Sequence, residues 1–150
     1  MKYPLIITTF LMLFSATGFA EKKSCHEIAN TQFDMNVCAS SDFERADKEL
    51  NEVYKEILKR YHNSPQFLKS LRAAQRAWLV FRDAHLKMIY PLEEDPTANY
   101  GSVFPMCWAT IKAGITFERA KELRRWLEPF EEEGNVCQGS IGNFDEHREK

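Results

Sequence analysis

From Met35 onward apolar side chains return every three or four positions, with Met35, Cys38, Phe43, Ala46, Leu50, Val53, Ile57 and Tyr61 forming one stripe. That spacing belongs to an amphipathic helix that buries one face. It predicts a helix over about residues 31–61. Asn63-Ser64-Pro65 ends this helix and opens another, because Asn and Ser suit an N-cap and proline suits a first helical turn. The same period resumes in Phe67, Leu71, Ala74, Trp78, Phe81, His85 and Ile89 and stops at Pro91, so the second helix folds back antiparallel on the first. Pro91, Pro96, Gly101 and Pro105 then break every period, and the stretch 91–105 reads as an exposed loop. Trp108, Ile111, Ile115, Leu123, Trp126 and Leu127 give a third helix, bent near Gly114 and Thr116. No run alternates at period two for long enough to make a strand. The fold class is therefore all-α, an antiparallel helical hairpin plus a third long helix in a small bundle.

Polar residues interrupt the hairpin stripes at matched places. Asp47, Asn51 and Tyr54 share one helical face, and Gln75, Trp78 and Arg82 share another. In an antiparallel pair facing residues have a constant sum of positions. Asp47 with Arg82, Asn51 with Trp78, and Tyr54 with Gln75 meet that condition about a turn near Ser64. The expectation is a structural polar cluster in which Asp47 and Arg82 form an ion pair that sets helix register.

The first twenty residues change the picture of compartment. Met1-Lys2 is a short positive region, Leu5 to Phe14 is almost wholly apolar, and Gly18-Phe19-Ala20 offers small residues for cleavage after Ala20. The apolar run is too short to span a bilayer. The expected organisation is a cleaved signal peptide at 1–20, a helical domain at 21–130 and an acidic tail at 131–150, in a periplasmic protein without stable membrane insertion. Export permits disulfides, and Cys25, Cys38, Cys107 and Cys137 allow three pairings. Cys25–Cys38 with Cys107–Cys137 closes the smaller loops and is the pairing expected.

Charge excludes more than it selects. With 20 basic and 22 acidic side chains there is no basic excess for a phosphate backbone, so no nucleic acid is expected as partner. His26, His62, His85 and His147 lie in separate segments without metal-ligand spacing, and there is no phosphate-binding glycine loop or Gly-x-Ser-x-Gly elbow. The expectation is a non-enzyme with no metal and no cofactor. Much of the acidity lies in the tail, where Glu131, Glu132, Glu133, Asp145, Glu146 and Glu149 outnumber Arg148 and Lys150.

Three ordered blocks then resemble the LprI-type lysozyme inhibitor family. The first contains Cys25, Ala29, Thr31-Gln32, Met35-Asn36, Cys38-Ala39, Ala46-Asp47, Leu50-Asn51 and Tyr54. The second is Ala74-Gln75-Arg76-Ala77-Trp78 with Phe81-Arg82-Asp83-Ala84, and the third is Ile115-Thr116, Arg119 and Glu122-Leu123. The resemblance implies a small helical envelope protein whose partner is a protein, a lysozyme or another peptidoglycan hydrolase. Where the family often carries cysteines, this chain has His85-Leu86-Lys87 and Ile111, which implies a rewired second bridge. Occlusion of a muramidase cleft by the 91–105 loop, through Glu93, Glu94, Asp95 and Tyr100, is the expected mode, because acidic side chains speed approach to a basic enzyme. The alternatives are an immunity protein against a periplasmic cell-wall toxin and an envelope structural or stress factor that inhibits nothing.

Overall fold

The computed structural model describes residues 23–91 and 96–128. Its elements are α1 (Cys25–Ile28), α2 (Gln32–Arg60), α3 (Pro65–Ile89), α4 (Pro96–Tyr100) and α5 (Phe104–Arg124), with no strand among the described residues. The expected signal peptide, Glu93, Glu94, Asp95, Cys137 and the acidic tail lie outside those residues.

α2 begins at a reciprocal capping box of Thr31 and Asp34. Thr31 Oγ1 accepts from the Asp34 N–H at 3.1 Å, and the Asp34 carboxylate accepts from the Thr31 and Asn30 N–H groups at 2.9 and 3.2 Å. The hydrogen bonds from Thr31 and the two backbone N–H groups hold the Asp34 carboxyl below its ordinary value. At the far end Tyr61 closes the helix and Pro65, at the start of α3, has no N–H to leave unpaired. These limits follow the apolar stripe and the Asn-Ser-Pro signal. Ahead of α2, α1 is tied to it by the expected Cys25–Cys38 disulfide, with Cα atoms 5.6 Å apart. Cys107 has no disulfide partner among the described residues, and its expected partner Cys137 lies outside them.

The most extensive contact is between α2 and α5. They run parallel: Gln32 and Asn36 reach Met106 and the Ser102 carbonyl at one end, while Arg60 and Tyr61 donate to the Leu127 and Trp126 carbonyls at the other. Ala39, Ala46, Ala109 and Ala120 are all buried and have no bulk to hold the two backbones apart. α3 returns antiparallel, meeting α2 at Tyr61–Phe67 and α5 at Gln75–Arg119. One core layer gathers Leu50, Val53, Ile57, Tyr61, Leu68, Leu71, Ala120 and Leu123, with Trp78 and Trp126 packed against it. A second, aromatic layer joins Tyr90, Tyr100, Phe104 and Trp108 at the opposite end.

Two expectations are corrected. The stretch 91–105 is not loop throughout, since α4 occupies Pro96–Tyr100 and Gly101, at φ +72°, turns the chain into α5. A five-residue helix is too short to show a period, and Pro96 can start a helix as readily as end one. Asp47 and Arg82 are not an ion pair. The Asp47 carboxylate accepts from Asn51 Nδ2 at 2.8 Å, and Arg82 lies over Phe43, one turn nearer the start of α2 than expected. The most extensive packing of α2 is against α5, so the matched polar spacing of α2 and α3 does not set which of their residues meet. α5 is one continuous helix through Gly114 and Thr116.

Candidate functional site

The middle of the bundle, between the two apolar layers, is built from cations and rings. Trp78 has the Arg82 guanidinium 5.3 Å and the Arg119 guanidinium 5.9 Å from its ring centre. The Phe43 ring has Arg82 at 6.0 Å and Lys112 Nζ at 4.4 Å. Lys112, Phe43, Arg82, Trp78 and Arg119 thus alternate charge and ring across α2, α3 and α5. Each pairing is a cation–π contact, stronger in a partly dry setting than in water. Arg82 is only 7% exposed.

Carboxylates reach this row from outside. Arg82 Nε donates to Asp83 Oδ1 at 2.9 Å and Arg119 Nη1 to Glu122 Oε2 at 2.8 Å, with both acids more than half exposed. Such rim pairs contribute little on their own. Arg119 Nε also donates to Gln75 Oε1 at 3.2 Å, which fixes the guanidinium beside Trp78. On the neighbouring turn of α5, Thr116 is wholly buried, and its Oγ1 has no hydrogen-bond partner among the described residues.

An open groove of about 690 Å³ runs between α3 and α5, walled by Trp78, Phe81 and His85 on one side and Ile111, Ile115, Glu118 and Arg119 on the other. A smaller one of about 260 Å³ continues along the same helices past Phe67, Leu71 and Trp126, sharing Arg119 and Glu122. Gly114 faces open space, so the groove is unobstructed at its middle. Phe81 is 58% exposed at its edge. Trp78 and Arg119 belong to both groove and row, so the groove meets the row at Arg119.

Of the residues singled out from sequence, Gln75, Trp78 and Arg82 come together here. Asp47 and Asn51 bond to each other on α2, and Tyr54 packs against the apolar layer. Tyr100 is half-buried: its ring contacts Tyr90 and Phe104, and its hydroxyl lies 3.5 Å from the Pro91 carbonyl. Tyr90, beneath it, has its phenol pushed above the ordinary value by burial and by the neighbouring Cys107 and Tyr100. Phe43, Lys112 and Arg119 are the members that patterning did not assemble. Phe43 read as one more apolar stripe position, and Lys112 carried no signal. Among the described residues no group of three His, Cys, Asp or Glu side chains could hold a metal, and no helix is long and apolar enough to cross a membrane.

The family model described as lysozyme inhibitor LprI matches residues 25–123. An uncharacterized protein of Rhizobium meliloti strain 1021 is 30% identical over 114 residues, covering 69% of this chain and 78% of its own. No solved structure matches the chain.

Proposed function

The chain belongs to the LprI lysozyme inhibitor family, and from that premise we propose that it is an exported periplasmic protein that blocks the cleft of a muramidase without covalent chemistry. The observation that carries this reading is the family match across 25–123, which contains the helices that build the cation row and both walls of the groove. Inhibition then needs no catalytic group of its own. It needs a surface that fills a cleft and excludes substrate.

The loop between α3 and α5 is the proposed leading edge. It joins the two helices that wall the groove, and its second half is anchored by Tyr100 and by the Ser102 carbonyl, which accepts from Asn36 Nδ2 at 3.2 Å. Glu93, Glu94 and Asp95 supply local negative charge that raises the association rate with a basic muramidase. Half-buried Tyr100 fixes this edge through its contacts with Tyr90 and Phe104 and presents its remaining surface to the enzyme.

Lysis of cell-wall suspensions by several muramidase classes, followed by turbidity with the purified chain in excess, tests the function. Slowed lysis by at least one class is expected, and unchanged lysis by all of them rejects it. Reversing the three charges with E93K, E94K and D95K is expected to slow association about tenfold or more at low salt, an effect that shrinks as salt rises. Unchanged association kinetics would place the leading edge elsewhere.

A further inference from the structure

We propose that the cation row, which meets the α3–α5 groove at Arg119, is a carboxylate-binding notch, and that it receives an acidic side chain of the bound muramidase. The identity of that partner rests on the inhibitor reading. The notch itself rests on this chain alone.

The row has more donors than acceptors. Arg82 uses Nε on Asp83 and Arg119 uses Nε and Nη1 on Gln75 and Glu122, while both Nη atoms of Arg82 and Nη2 of Arg119 have no acceptor among the described residues. Lys112, half-buried, makes no ion pair or hydrogen bond among them either. Ring faces hold these cations by charge and consume none of their N–H donors. Arg82, with only Nε engaged, keeps its two Nη groups as an edge of parallel donors, the arrangement that grips a planar carboxylate. Thr116 adds a buried hydroxyl with no partner among the described residues, one turn from Lys112 on α5. Asp83 and Glu122 are largely solvated and Glu118 is exposed on the groove wall, so none of them fills the interior.

The partner's chemistry meets this need. Glycoside hydrolysis of this class uses a pair of carboxyl groups flanking the scissile bond. A protein that covers such a cleft and excludes water leaves those charges buried, which weakens binding unless a counter-charge is supplied. An acidic leading loop and a cationic notch behind it divide the work: the loop attracts the basic surface, and the notch pairs the acids of the cleft.

Two arms test the notch in the full-length chain. In the first, sodium acetate is titrated at constant ionic strength against sodium chloride, and the Trp78 indole resonance is followed by NMR. A saturable shift with acetate and none with chloride is expected, reduced several-fold in K112Q, which loses its contact with Phe43 but should still unfold in one cooperative transition. In the second, calorimetry measures binding to a muramidase that the wild-type chain inhibits. K112Q is expected to weaken it about tenfold, as loss of a charge-assisted hydrogen bond does, whereas K121Q on an exposed turn changes nothing. Exchanging the muramidase's catalytic glutamate for glutamine should cost the same factor, with no further loss when both changes are combined. Absence of an acetate-specific shift overturns the notch. Acetate binding with equal muramidase affinity in wild type and K112Q overturns its role in the complex and leaves inhibition standing. Failure of the wild-type chain to bind any muramidase overturns the partner, and the acetate arm alone then decides the notch.

Discussion

Thr116 is a residue whose position works against stability. Its hydroxyl is wholly buried with no partner among the described residues, and such a group costs about 1–3 kcal/mol of desolvation. T116V, which keeps the shape and removes the hydroxyl, is expected to stabilise the chain by about 1 kcal/mol in urea denaturation while weakening acetate binding. A loss of stability would mean that the hydroxyl has an unseen partner. Asp34 shows the opposite balance. Its folded carboxyl is held below the ordinary value, so its contribution is fully present above the usual carboxylate range and is lost as pH falls through the lowered folded value. D34N should therefore flatten part of the acid limb of a stability–pH profile, leaving the slope near neutrality unchanged. At this scale the sequence is legible where chemistry is local. Thr31 and Asp34 stand three apart, as a capping box requires, whereas nothing near Thr116 in the chain says that its neighbours will leave it unsatisfied.

Helices were legible wherever one face is buried. α2 carries its apolar stripe from Cys38 to Ile57 because one side meets the core and the other meets water, and the stripe disclosed both ends of the element to within a residue. α5 is different, since its buried Ala109, Thr116, Ala120 and Leu123 share the helix with half-buried Ile111 and Ile115 in the groove wall. A helix with neighbours on two sides shows no single stripe, and Gly114 then passes for a break. The same two-sided packing displaced the hairpin register by a turn. Matched polar spacing in two helices fixes which residues meet only if they are each other's main packing partner, and α2 packs chiefly on α5. I57A tests which layer carries the fold. Ile57 is fully buried in the main apolar layer, so its truncation is expected to cost about 2–5 kcal/mol in denaturant midpoint, whereas V80A, on the 72% exposed Val80, should cost less than about 0.5 kcal/mol. Equal effects would contradict the layer assignment.

For the whole molecule, composition and periodicity disclosed an all-α bundle, and the three motif blocks disclosed the family. What they withheld is which blocks touch. Gln75 and Arg119 lie 44 positions apart and become neighbours only through the parallel pairing of α2 with α5. The Cys25–Cys38 bridge closes a short span at one end of that pair. Replacing both cysteines by serine is expected to lower stability by about 2–4 kcal/mol, chiefly through the freedom regained by the unfolded chain, and reducing agent should reproduce the loss in the wild type. An unchanged melting temperature in both experiments would show that α1 contributes nothing to the fold.

The parallel arrangement of α2 and α5 also governs how the chain reaches its native state. Glu49 and Arg124 pair across 75 positions, and Tyr61 meets the Trp126 carbonyl across 65. Most helical bundles fold within microseconds to milliseconds because their contacts are close in sequence. Here the hairpin of α2 and α3 can form early, but its apolar stripe stays uncovered until a distant helix returns. Closure of that long loop, and not helix formation, is the slow step this topology imposes.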